Sequence, residues 1–485
     1  MMQRYLCIAA LIAITTLTLA QVQTPVRTGD LVIQGGWLFD SIRDDVRRNS
    51  GIVVRNGAIV EVDADLSARE LSAARVVRLS DDEYLMPGLI DLHAHYAVDL
   101  FGEGRVDEYT VNPLLFLANG VTSTFPAGEV DPNGMMETRK RIDRGEQIGS
   151  RILNSGPYFG TARPGWVNSA VTTDQVRADV RTWAAQGARG FKAKGIRADH
   201  LSALIDEAHR YGLTVTAHLD SGAGNSVNPR DAIAMGIDRI EHFMGGDAIT
   251  SDRGAYASLE RLDASRPEVA AIIKTYLAQH VFFDATLSAY GYFAEREPKE
   301  LYEYWVPEMD FLTPYARSVV NKTLPRRVNE QFGQIFKAKL KEVKTFFDAG
   351  GKDLITLGTD HPSWGEFFSG FGSHRELQAL VLAGIPPAAA IKIGTINSAR
   401  AINIGSKFGT IERGRIADLM VVRGNPLTNI RNTRNLRLVV KGGVTYDPAA
   451  LLQQAKGKLG PASPEDAAWW KGNVRFATDR NRGLQ

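Results

Sequence analysis

From residue 86 onward, short apolar runs alternate with stretches of helical period, and this alternation limits the fold more than any other feature of the chain. Residues 89–95, 121–125, 151–155, 191–194, 213–218, 238–242, 281–287 and 353–360 read as buried strands. Amphipathic helices fit between them; at 201–209, for example, Leu201, Leu204, Ile205 and Ala208 recur at helical spacing. Eight strand-then-helix units predict an α/β fold closed into a (β/α)8 TIM barrel. An open doubly wound sheet is the alternative.

The flanks read differently. Residues 29–40, 52–54, 58–62 and 76–79 are short strands, with Asn56-Gly57 as a hairpin signal. Near the other end, 416–422, 436–440 and 444–446 are strands, with Gly442-Gly443 turning between the last two. Neither piece has enough apolar strand to stand alone. They are expected to join into one small composite β-sandwich from 28–85 and 403–450, around a barrel domain at 86–402 and before a tail at 451–485. In that tail, Trp469-Trp470 is expected to pin the chain to the body.

Arg4 precedes an apolar run over 6–20 that ends in Thr18-Leu19-Ala20. This pattern predicts a Sec-type signal peptide over 1–20, cut near Ala20, and a secreted or periplasmic protein with no stable membrane anchor after cleavage. The single cysteine, Cys7, lies inside that segment. Any metal in the mature chain must then be held by His, carboxylate or a modified Lys. A formal net charge of +2 provides no field for nucleic acid. The expected partner is a small-molecule substrate, and a homo-oligomer is compatible with the sequence.

Asp91-Leu-His93-Ala-His95 closes the first barrel strand. Alternation puts Asp91, His93 and His95 on one side, and two imidazoles so spaced can grip a divalent metal. Other strands end in similar chemistry: Lys192 and Lys194, His218, Glu241-His242, and Asp360. In a barrel of this kind those ends form one face, where catalytic groups collect. A lone histidine there is more simply a satisfied core residue; of the nine in the chain, four fall at these ends together with a terminal Asp.

Pro87-Gly-Leu-Ile-Asp-Leu-His93-Ala-His95, Gly187-Ala-Arg-Gly-Phe-Lys192, Thr216-Ala-His218, Gly236-Ile-Asp-Arg-Ile-Glu-His242 and Gly358-Thr-Asp360 resemble the amidohydrolase superfamily, most closely its imidazolonepropionase-like and prolidase-like metal-dependent hydrolases. The resemblance spans about residues 29–447. It implies one or two divalent metal ions, commonly zinc: His93, His95 and Asp360 on the first, His218 and His242 on the second, and an N-carboxylated Lys192 bridging them. Lys194 lies on the same face as Lys192 and is the alternative. The implied activity is cleavage of a C–N bond in a dipeptide or N-acyl amino acid by metal-activated hydroxide, with Asp360 as proton shuttle. A cyclic amidase, lactonase or esterase on the same metals is the nearest rival, and a metal-binding protein without catalysis is the rival from another class. His374, Arg163 and Arg197 are candidate substrate-binding residues. His200, His209 and His280 are expected at the surface or on helix flanks. Aromatic residues between strands six and eight, among them Tyr290, Tyr302, Tyr304 and Trp305, are a candidate pocket wall or lid.

Overall fold

The computed structural model describes residues 26–67, 71–72, 74–99, 105–293, 308–323, 330–362 and 369–468. The 1–20 segment with Cys7, Tyr302, Tyr304, Trp305 and Trp469-Trp470 lie outside the described residues.

The two flanking pieces join as one eight-stranded sheet. Its backbone is the 13-residue strand Arg75–Pro87. One part pairs parallel with Leu31–Leu38; the end pairs antiparallel with Leu419–Arg423, from the far end of the chain. Ile52–Arg55 and Ala58–Val62 extend one edge, and Leu436–Lys441 and Val444–Tyr446 the other. Side-chain alternation fills two faces: Leu31, Ile33, Ile52 and Val54 join one apolar cluster, Val32 and Val53 another. Both expected hairpin turns are present. Asn56 (φ 48°) and Gly57 (φ 79°) take the doubly left-handed geometry that a two-residue hairpin requires. A Cβ on Gly57 would lie 2.9 Å from the Gly442 carbonyl oxygen, so the two turns also touch each other.

Between these pieces lie the barrel strands: Leu89–Ala94, Val121–Pro126, Arg151–Ile152, Gly190–Lys194, Thr214–His218, Arg239–Glu241, Phe282–Asp284 and Ile355–Thr356. Short Tyr158–Phe159 pairs parallel with Gly190–Lys194, and Arg189 N–H donates to the Asn154 carbonyl at 2.7 Å. The last strand returns to the first: Leu92 N–H donates to Leu357 O (2.9 Å), Asp360 N–H to His93 O (2.9 Å) and His95 N–H to His361 O (2.8 Å). The architecture is the (β/α)8 barrel with its composite β domain. Helix Ala198–Arg210 shows why the outer layer forms: Leu201, Leu204, Ile205 and Ala208 are all buried on one stripe, each large aliphatic contributing about 1.5–3 kcal/mol.

Several strands are shorter than the sequence predicts, the third keeping only Arg151–Ile152 and the sixth Arg239–Glu241. The seventh stops at Asp284, because Thr286 turns left-handed (φ 47°) and a helix starts at Leu287. Glu376 supplies that helix with its missing acceptors, taking the N–H groups of Leu287 (2.8 Å) and Ser288 (2.7 Å). The eighth keeps ladder geometry only at Ile355–Thr356 before running extended beside the first strand. In the described part of the tail, Leu459 exchanges backbone hydrogen bonds with Phe311 and Thr313. No helix among the described residues is long and apolar enough to cross a membrane.

Candidate metal centre

The first strand does not alternate regularly to its end. Its register with Val121–Pro126 shifts between Asp91 and Ala94, and this separates Asp91 from the two histidines. Asp91 is wholly buried, accepting from the hydroxyls of Thr359 (2.9 Å) and Ser373 (2.9 Å) and from the His93 N–H (3.0 Å). Burial raises its pKa to about 6 despite these donors. Asp91 therefore braces the strand end, while His93 and His95 face Asp360.

The Asp360 Oδ1 lies 2.8 Å from His95 Nε2 and 3.3 Å from His93 Nε2. One ligand atom from each of the three residues falls within 4.8 Å of the others. Asp360 has a left-handed backbone (φ 57°), as does His242 (φ 69°). For non-glycine residues this costs on the order of 1–3 kcal/mol and gathers at functional sites. Burial opposes ionisation of Asp360, but the charge and hydrogen bond of His93, with the hydrogen bond of His95, outweigh it and hold the carboxyl well below its usual range.

The hydrogen bonds settle two tautomers. His93 Nδ1 lies 3.1 Å from Asp284 Oδ2, which only accepts, so Nδ1 carries the proton. Nε2, the other ring nitrogen, faces the Asp360 carboxylate, where a bound cation would take the place of a second proton. Thr286 spends its hydroxyl proton on the Ala285 carbonyl (2.8 Å), so His242 Nδ1 must donate to the Thr286 Oγ1 (2.8 Å). His242 Nε2 is left bare and buried with no hydrogen-bond partner. Burial, then the neighbouring cations, depress the His218 and His242 pKa values well below 6.5, which keeps both rings neutral. Imidazole nitrogens converging on an anionic carboxylate fit a divalent cation, and His93, His95 and Asp360 could hold it.

The other side of the site is arranged around Lys192. Its ammonium is buried and contacts Glu241 Oε2. Burial, then the nearby Lys194, lowers its pKa well below 10.5, the condition under which an amine becomes nucleophilic. Glu241 also accepts from the Thr216 hydroxyl at 3.0 Å. With His93 and His242 it forms a second convergent group. The His218 ring lies 4.2 Å from that of His242, but His218 belongs to neither group.

The remaining candidates stand elsewhere. His374 bonds Thr433 Oγ1 (3.0 Å) and the Asn119 carbonyl (2.8 Å), so both ring nitrogens are already engaged and neither is offered to a substrate. Arg197 forks Asp199 (3.0 and 2.6 Å), filling the geometry a substrate carboxylate would need. Arg163 pairs with Asp179 and lies over Trp166. His200 is buried rather than on the surface, 2.9 Å from the Val171 carbonyl. Tyr290 is also buried, its ring 6.2 Å from that of His242. Two acids at the site received no role from the sequence, Glu241 and Asp284. The available signal was their place at strand ends, Glu241 beside His242 and Asp284 closing Val-Phe-Phe-Asp.

The amidohydrolase family model matches residues 84–446. Adenine deaminase 1 of Latilactobacillus sakei subsp. sakei (strain 23K) is 22% identical over 443 residues; the match takes in 90% of this chain but 61% of the deaminase, so this chain spans under two thirds of that relative. A Xaa-Pro dipeptidase crystallised with methionine in its active site superposes with a TM-score of 0.65 at 21% identity, covering 86% of this chain and 100% of the dipeptidase. A putative prolidase from Bifidobacterium longum gives 0.63 at 23% identity, covering 89% and 100%. These two likenesses establish a shared fold. With three quarters of its length matched by the family model, the chain belongs to the amidohydrolase family, hydrolases that typically bind divalent metal.

Proposed function

We propose that this amidohydrolase cleaves the C–N bond of a dipeptide or N-acyl amino acid. The observation that carries the reading is the Asp360 carboxylate, ionised against His93 and His95 yet with its side chain 17% exposed, so that it can meet a reactant. The dipeptidase and prolidase that share the fold support the substrate class. His93, His95 and Asp360 would hold one zinc ion; His218 and His242 would hold a second, with a carbamate on Lys192 between them. When bound, such metals acidify water and polarise a carbonyl.

The protein's own part is proton transfer and orientation. Asp360 takes the proton of the attacking water and delivers it to the nitrogen, because an amine leaves only when protonated. Asp91 holds the strand end from which His93 and His95 project. Buried Tyr290 backs the His242 ring and, with Tyr256 at 6.1 Å, limits water on that side. Export of the chain rests on Arg4 and the apolar run over 6–20; cell fractionation with N-terminal sequencing should find the mature chain outside the cytoplasm, beginning near Gln21.

The test is amine release from a panel of dipeptides and N-acyl amino acids by the zinc-loaded protein, beside Asp360→Asn. The variant should retain metal and lose at least about a hundredfold in rate. Near-normal turnover in the variant would remove Asp360 from the mechanism. Turnover of lactones or esters alone would replace the amide reading.

A further inference from the structure

The buried side of His93 carries a feature that hydrolysis does not by itself require. Asp284 ends the seventh barrel strand, is wholly buried, and directs Oδ2 to His93 Nδ1 at 3.1 Å. The same oxygen accepts from Arg239 at 3.2 Å, a buried guanidinium carried by the first residue of the sixth strand. Oδ1 has no hydrogen-bond partner. The space for this carboxylate comes from Gly358, where a Cβ would lie 2.1 Å from Oδ2 and 2.4 Å from Oδ1. The sixth and seventh strands and the segment just after the eighth therefore supply a counter-ion, an acid and the room to seat it, with the acid directed at one ring nitrogen.

We infer that Asp284, held by Arg239 and seated over Gly358, is the positioning residue that fixes His93 as its Nδ1–H tautomer and turns Nε2 toward Asp360. This rests on the reading of His93 as a metal ligand. Without Asp284 the ring could place its proton on Nε2, beside Asp360, and the lone pair would point away. A carboxylate behind a ligating imidazole also makes the ligand nitrogen more basic, and losing such a partner typically weakens metal binding by roughly 10–100-fold. Arg239 cancels the buried negative charge, so the arrangement need not draw its proton from His93.

Two variants and two readouts test this. Asp284→Asn keeps the shape but removes the charge. Gly358→Ala removes no polar group and, with no left-handed backbone to strain, moves the carboxylate oxygens off His93. Zinc affinity is measured by competition with a chelator, and the tautomer of His93 in metal-free protein by long-range 1H–15N correlation of its ring. Both variants should bind zinc about 10–100-fold more weakly, and the His93 signal should change from a pure Nδ1–H form to a mixture. Should Asp284→Asn fail to fold, Gly358→Ala alone carries the test. Wild-type affinity and an unchanged tautomer in Gly358→Ala would overturn the proposal and reduce the acid–arginine pair to a core ion pair. A wild-type chain that shows the Nδ1–H tautomer but binds no zinc would instead remove the metal reading, and with it the ligand-positioning role.

Discussion

His93, His95 and Asp360 meet around one carboxylate, whereas Lys192 and Glu241 face each other as a buried lysine–carboxylate pair beside His218 and His242; both groups rest on backbone hydrogen bonds of the barrel. In the first group, Asp360 N–H bonds the His93 carbonyl and His95 N–H the His361 carbonyl, so the barrel seam itself sets the spacing. In the second, the buried Lys192 nitrogen meets the buried Glu241 carboxylate, and His218 stands outside the convergent ligand groups. The first corner is preorganised across the barrel seam and holds no lysine whose state could disturb it. A corner built on an ion pair must rearrange if Lys192 is neutralised or carboxylated, because the attraction to Glu241 then disappears or becomes repulsion.

The largest expected effect follows from this asymmetry. His93 belongs to both convergent groups, so His93→Ala should strip the chain of bound zinc altogether. His218→Ala should spare the preorganised corner and cost at most the second equivalent. Elemental analysis of the purified variants measures this, and equal losses would show that the two corners do not differ as described.

A smaller effect concerns the wall behind His242. Glu376 caps the helix Leu287–Phe293 that carries Tyr290. Burial raises its pKa to about 7 from 4.5, even though the backbone N–H groups of Ser288 and Leu287 favour the anion. The fold thus binds this proton more tightly than the unfolded chain does. The contribution is fully present below about pH 4.5 and is lost as pH rises through about 7, on the order of 3 kcal/mol in all. Glu376→Gln should begin less stable, having lost one acceptor, yet show a flatter decline across that window in denaturant titrations. Parallel profiles for variant and wild type would remove Glu376 as their cause.

The preorganised corner is readable in sequence because its three residues sit where period-two strands end, and strand ends in a barrel share one face. The composite sheet is readable because Asn56-Gly57 and Gly442-Gly443 announce hairpins too short to stand alone. Other parts depend on contacts that spacing does not carry. Asp91 shares the apparent face of His93, but a register shift turns it to Thr359 and Ser373. His374 is engaged by Thr433 and Asn119, residues remote from it in the chain. Asp284 gains its partner only when strands six and seven and the segment just after the eighth bring Arg239, Asp284 and Gly358 together. The left-handed turns at His242 and Asp360 are likewise imposed by the surroundings, since neither residue type demands them.

The most direct test of a metal-dependent amidase is to strip the purified protein with a chelator and reload it with zinc, with and without bicarbonate, while following amine release from dipeptides and N-acyl amino acids. The account predicts loss of release on stripping, return with zinc, and fuller return with bicarbonate as Lys192 is carboxylated. Release that persists undiminished in the stripped protein would contradict it.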